Sequence, residues 1–109
     1  LVQLINNIRH FPTNRNHILT IWDKRDLARV GKRRVPCSLS YNFLYRQGEL
    51  MMHYYSRSCD VITHFENDLY LAARLQAYIA QQAGDLSVGR FVFTCDSLHC
   101  YLRDLEGVF

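Results

Sequence analysis

Four places along this 109-residue chain carry side chains able to do chemistry. Cys37 follows Pro36 at the end of a basic loop. The proline fixes the backbone just ahead of the thiol, and nearby cations would favour the thiolate, which is the reactive form. The plainer reading is a small buried residue at the start of a strand, and position alone favours it. Arg57-Ser58-Cys59-Asp60 sets a guanidinium fork beside a hydroxyl, which suits a phosphate. A surface Arg paired with Asp60 is the plainer alternative there. Asn67-Asp68 opens a long helix, where N-capping is the ordinary role for such a pair. His99-x-Tyr101 would put two polar aromatics on the same side of a strand, either to hold a sugar hydroxyl or simply to sit half buried.

The elements that must position these groups follow from apolar spacing. Leu1, Leu4, Ile5 and Ile8 share a helical face, and Phe11-Pro12 ends that helix because proline disfavours helix at the preceding residue. Ile18 to Trp22 reads as a short buried strand. Lys24 to Arg34 holds six basic residues and Gly31 and reads as a loop, with one helical turn around Leu27. Ser38 to Arg46 alternates, with Leu39, Tyr41, Phe43 and Tyr45 on one side. Gln47-Gly48 marks a hairpin turn, and Glu49 to Arg57 forms the returning strand. Leu69 to Gln82 carries Leu71, Leu75, Tyr78 and Ile79 at helical spacing, and Gly84 is a natural C-terminal stop. Arg90 to Thr94 is a strand continuing unevenly to Tyr101, and Leu102 to Leu105 begins a further helix. This order implies an α+β fold with a mixed sheet and packed helices.

Composition bounds the function. A chain with 49% hydrophobic and 21% charged residues is ordinary globular material, and its length fits one domain. No apolar run approaches the roughly 18 to 20 residues of a membrane span. A formal charge of +3 is too mild to argue for nucleic acid. The cluster Lys24, Arg25, Arg29, Lys32, Arg33 and Arg34 reads as a solvated loop, since no aromatic interleaves it. The four cysteines lack CxxC spacing, so no zinc ribbon or redox dithiol is indicated and no metal is expected. Without a secretory pattern in the first ten residues, free thiols in the cytoplasm are the expectation.

Taken in order, these segments resemble thymidylate synthase and its relatives. Pro36-Cys37 is similar to the family's Pro-Cys nucleophile, and Arg57-Ser58-Cys59-Asp60-Val61 to its Arg-Ser-x-Asp-Val stretch. Ile79-Ala80-Gln81-Gln82 resembles the end of its helix. Gly89-Arg90-Phe91-Val92 and Leu98-His99-Cys100-Tyr101 resemble the segment carrying its His-x-Tyr. Pro12 through Arg15, followed by Trp22, resembles its arginine loop. The resemblance covers essentially all 109 residues. It implies that residues 1–109 are a single domain, the central-to-C-terminal part of the family fold, with the N-terminal third and the C-terminal tail outside it. On that basis the chain by itself is expected to be incomplete as a catalyst.

The resemblance also implies roles. Cys37 would attack C6 of a pyrimidine nucleotide, and C5 would then take a one-carbon unit from 5,10-methylenetetrahydrofolate. Arg57 and Ser58 would bind the nucleotide phosphate, Arg15 would reach the phosphate held by the partner in a homodimer, Asp60 would contact the folate pterin, and His99 and Tyr101 would bind the sugar. The aromatic strand residues Tyr41, Phe43, Tyr54 and Tyr55 would supply apolar area for the dimer. Asp68 stands where the synthases carry the Asn that reads the uracil edge. Uracil offers N3–H as donor and O4 as acceptor, whereas cytosine reverses both; a protonated carboxyl matches cytosine, and a carboxylate could instead pair with an N3-protonated ring. Deoxycytidylate hydroxymethylases of this family carry Asp here, in a stretch similar to Phe65-Glu66-Asn67-Asp68, and Ser38 in place of the usual His is compatible with that branch. Asn16 in place of a second Arg weakens phosphate capture across the dimer, and His64 in place of a Gly would crowd the folate. The expectation is therefore hydroxymethylation of a cytosine nucleotide through a Cys37 adduct. The alternatives are methylation of dUMP or a non-catalytic nucleotide-binding relative. An RNA contact by the basic loop would need strong salt dependence to support it. No membrane and no nucleic-acid partner is expected.

Overall fold

A computed structural model describes residues 1–106. Helix α1 spans Val2–His10 and β1 spans His17–Thr20. A 3-10 helix over Lys24–Arg29 follows. Next come β2 (Ser38–Arg46), β3 (Glu49–Asp60), α2 (Phe65–Gln82), β4 (Ser87–His99) and α3 (Leu102–Leu105). The single turn expected around Leu27 is this 3-10 helix, capped reciprocally by Asp23 and Asp26.

The sheet order is β1-β2-β3-β4. The first two pairings are antiparallel and β3 with β4 is parallel, so the sheet is mixed. The β2–β3 hairpin turns at Gln47 and Gly48, both at positive φ (53° and 79°). Positive φ at both central residues gives the tight turn whose twist matches the two strands. The parallel pairing requires a crossover, which α2 supplies. Gly84 stands just past the α2 cap at φ 129°, the conformation that favours glycine at a helix end.

The core lies between one sheet face and the helices α1 and α2. Leu4 and Ile8 meet Phe43, Leu50 and Met52, with Ala72, Ile79 and Ala80 of α2 closing over them. Alanines on that helix face let its backbone approach the sheet. The strand aromatics divide between faces in a way that corrects the sequence expectation. Phe43 and Tyr54 are core residues, and Tyr41 stacks on Tyr54 at 4.6 Å between ring centroids. Of the four aromatics expected to serve a dimer, only Tyr55 lies on the open face. It stacks on His53 at 3.9 Å beside Asn42, Leu44, Met51 and Val92, around a depression of about 190 Å³. Alternation along β2 and β3 made the two faces, but residue type could not say which face the helices cover.

One buried polar side chain follows from a fault in the ladder. Leu50 pairs with Val88 but Met52 pairs with Phe91, so β4 carries an extra residue at Gly89-Arg90. Such a bulge leaves carbonyls without ladder partners. The Gln76 amide, buried on α2, donates to the carbonyls of Leu50, Gly89 and Arg90 at 3.0, 3.2 and 3.2 Å. Replacing Gln76 with Leu removes these bonds without opening a void. Gln76→Leu should lower unfolding free energy by about 1–3 kcal/mol, the cost of stranded buried acceptors. A urea titration with a lower midpoint and unchanged slope would show it, and an unchanged midpoint would refute the plug.

Candidate active site around Cys37

Cys37 ends the loop before β2, and its side chain is exposed. The backbone that carries it is held from two directions. The indole Nε1 of Trp22 donates to the Pro36 carbonyl at 2.7 Å. Arg57 on β3 donates to the same carbonyl through Nε at 2.8 Å and to the Val35 carbonyl through Nη2 at 3.0 Å. The Cys37 carbonyl accepts the Arg57 amide at 2.9 Å and the Ser56 hydroxyl at 3.1 Å. The Arg57 Nη2 also lies 3.8 Å from Cys37 Sγ. A guanidinium has five N–H donors. Here the Nε and Nη2 donors face the loop, while Nη1 makes no protein bond among the described residues. An anion could therefore be taken up without releasing the loop.

Arg57 does not pair with Asp60, the plainer alternative from sequence. The Asp60 carboxylate is buried, and its Oδ1 accepts the amides of Ile62 and Thr63 at 3.0 and 3.1 Å. Burial alone would raise its pKa, but those amide bonds outweigh it and hold the carboxyl below its ordinary value. The same turn starts α2. His64 donates its amide to the Asp60 carbonyl and precedes Phe65, the first helical residue. Asn67-Asp68 is thus not the cap expected from sequence. The helix begins earlier because the Asp60 turn sets its origin, which places Asp68 in the first turn.

From there Asp68 faces the sheet. Its Oδ2 lies 3.6 Å from the sulfur of buried Cys59. Burial pushes the Cys59 thiol up to about 11, and the charges of Asp68, Cys95 and Cys37 act in the same direction. The thiol therefore keeps its proton and donates it to the carboxylate. Tyr54 shares this neighbourhood. Burial pushes its phenol up to about 12, opposed by its bond with Ser38, and Asp68 adds to the rise. Tyr54 Oη and Ser38 Oγ are 2.6 Å apart.

The remaining expected residues divide. Ser58 pairs with Ser97 across the β3–β4 ladder, and its carbonyl accepts the Ser56 hydroxyl at 2.9 Å. His99 is the last residue of β4, opposite Asp60, the last of β3. Tyr101 is not on the strand, as the His-x-Tyr spacing implied. It precedes α3, because the ladder has no partner residue beyond Asp60. The two rings still meet edge-on at 5.5 Å, and Arg103 covers Tyr101 at 4.8 Å. Arg15 is exposed in the turn between α1 and β1 and makes no hydrogen bond or ion pair among the described residues. Trp22, Tyr54 and Cys59 were named in the sequence but given no role at this site. For the first two a signal existed, since a buried indole N–H or phenol needs a partner. Among the described residues, no three His, Cys, Asp or Glu side chains converge as a metal site, and no helix is long and apolar enough to cross a membrane.

The family model for thymidylate synthase matches residues 1–109. The chain belongs to the thymidylate synthase family. The thymidylate synthase of Sphingopyxis alaskensis is 34% identical over 99% of this chain, which spans only 34% of that protein. The crystal structure of thymidylate synthase from T4 phage superposes with a TM-score of 0.85 at 27% identity, covering 98% of this chain and 36% of that one. The thermostable thymidylate synthase A of Bacillus subtilis gives 0.87 at 23% identity over 98% of this chain and 37% of its own, a likeness of fold. This chain thus spans about a third of the length of the thymidylate synthases it matches.

The protonated Cys59 and Tyr54 make stability pH-dependent at the alkaline end. An unfolded thiol has its ordinary value near 9.0 and the unfolded phenol near 10.0, both below the folded values of about 11 and about 12. Between these limits the unfolded state binds fewer protons, so stability falls as pH rises. The thermal midpoint should drop as pH goes from about 9 to about 11, and Cys59→Ala should flatten that slope. An equal slope in the variant would contradict the assignment.

Proposed function

We propose that this chain carries the nucleotide-activating part of a folate-dependent enzyme that transfers a one-carbon unit to C5 of a pyrimidine nucleotide. The observation that carries the reading is Cys37 standing exposed against the Arg57 guanidinium, on a loop whose carbonyls that same side chain and Trp22 hold. Cys37 adds to C6 of the ring, which makes C5 a carbon nucleophile. The Nη1 edge of Arg57, with Ser58, binds the phosphate, and Arg15 serves the phosphate of a second protomer. His99 and Tyr101, packed edge to face, hold the sugar. When bound, 5,10-methylenetetrahydrofolate supplies the one-carbon unit. Asp60 is the residue proposed to meet its pterin. The Asp60 carboxyl fits that role, since it stays charged while its Oδ1 closes the turn. A homodimer joined through the open sheet face is consistent with Leu44, Met51, Tyr55 and Val92 lying there.

The relatives are thymidylate synthases, and methylation of dUMP is the reading they support. One residue favours a second. Asp68 puts a carboxyl where a uracil edge calls for an amide, and a cytosine nucleotide with a hydroxymethyl product is the reading that residue supports. A buried site that hydrogen-bonds one base edge rejects the other by stranding polar groups.

Tritium release from C5-labelled dUMP and dCMP, with 5,10-methylenetetrahydrofolate and the full-length protein, tests both. Release is expected from one of the two, with loss to background in Cys37→Ala. Asp68→Asn should move the preference toward dUMP by at least about tenfold. Release from neither nucleotide, with no Cys37 adduct to a 5-fluoropyrimidine nucleotide plus folate, would leave a non-catalytic relative.

A further inference from the structure

The base-edge reading of Asp68 leaves one group unused. Cys59 lies between the nucleophile loop and α2, is 4% exposed, and points its sulfur at Asp68 Oδ2 at 3.6 Å. We infer that Cys59 is a positioning residue for Asp68. Its thiol proton holds one carboxylate oxygen toward the sheet and so determines which oxygen faces the base of a bound pyrimidine nucleotide. This deepens the proposed function and rests on its reading of Asp68.

Three observations carry it. A carboxylate in the first turn of a helix has two staggered side-chain directions open to it, and the hydrogen bond to Cys59 selects one. The donor is dependable, because burial and the charges of Asp68, Cys95 and Cys37 all keep the thiol protonated, and its other acceptor, the Asp60 carbonyl, is uncharged and farther away at 3.9 Å. No other side chain competes for the carboxyl, since Asp68 forms no ion pair among the described residues. Tyr54 is occupied by Ser38 at 2.6 Å, and Arg57 by the loop carbonyls. A specificity group held by a single supporting bond loses discrimination when that bond is removed, even though the group itself is intact.

The sulfur also separates this role from packing. Serine at position 59 keeps a donor in a slightly smaller side chain, whereas alanine removes it. The measurement is the ratio of dissociation constants for dCMP and dUMP, taken by calorimetry on the full-length protein, which needs no turnover. Cys59→Ala should move that ratio toward unity by roughly three- to tenfold, the worth of one ordinary hydrogen bond, as befits the weak thiol donor. Cys59→Ser should restore most of it, with both variants melting cooperatively. Asp68→Ala sets the scale. An Asp68→Ala variant that moves the ratio beside a Cys59→Ala variant that does not would overturn the inference and leave the reading of Asp68 standing. A ratio insensitive to Asp68→Ala, or binding of neither nucleotide by the unsubstituted protein, would overturn that reading and this inference with it. Equal weakening for both nucleotides in Cys59→Ala and Cys59→Ser would mark Cys59 as packing alone.

Discussion

The geometry around Cys37 depends on one guanidinium. Arg57 grips the carbonyls of Val35 and Pro36 and reaches the sulfur of Cys37 from the same Nη2. The loop it grips is rich in like charge, with Lys32, Arg33 and Arg34 just upstream. Left to itself such a segment would stay solvated and mobile. Proline removes one backbone freedom, the Trp22 indole ties the Pro36 carbonyl, and Arg57 contributes planar donors whose fork geometry loses little entropy on bonding. Lysine could not do this, because a single ammonium cannot serve two carbonyls in fixed directions and still present a free edge. The same residue thus orders the loop and keeps its Nη1 edge free of protein partners among the described residues.

Around that centre three buried polar side chains meet backbone partners, whereas Asn42 Oδ1 on β2 is buried without one among the described residues. Gln76 fills the acceptors that the β4 bulge exposes. Asp60 takes two amides of the turn that launches α2. Ser56 bonds carbonyls on both sides of it, at Cys37 and Ser58. Unsatisfied groups of this kind would each cost on the order of 1–3 kcal/mol. The Gln76 bonds lie where β3 and β4 start, the Asp60 bonds lie where β3 ends, and Ser56 ties the later part of β3 to the backbone of Cys37.

Much of the fold was legible because local signals agreed. The Ser38–Arg46 strand has the bounds read from alternation, and Gln47-Gly48 turns where expected. Gly84 stops α2 as its conformational freedom suggests. Errors came where the deciding partner lay far away in sequence. Strand β3 runs on to Asp60 instead of Arg57, since β4 pairs with it to its end. Helix α2 starts at Phe65 because the Asp60 turn sets its origin. Tyr101 leaves the strand because β3 has no residue left to pair with it.

By itself, the sequence determined the α+β order and the hairpin, which follow from periodicity and turn chemistry, and its resemblance to the family implied which residues would attack, bind phosphate and read a base. Those signals are local along the chain. Tertiary structure alone decided that Arg57 serves the Val35-Pro36 backbone, that Asp68 meets a protonated thiol, and that Phe43 and Tyr54 point inward while Tyr55 points out. Hydrogen bonds and burial join residues tens of positions apart, and no pattern within either segment records the other's position.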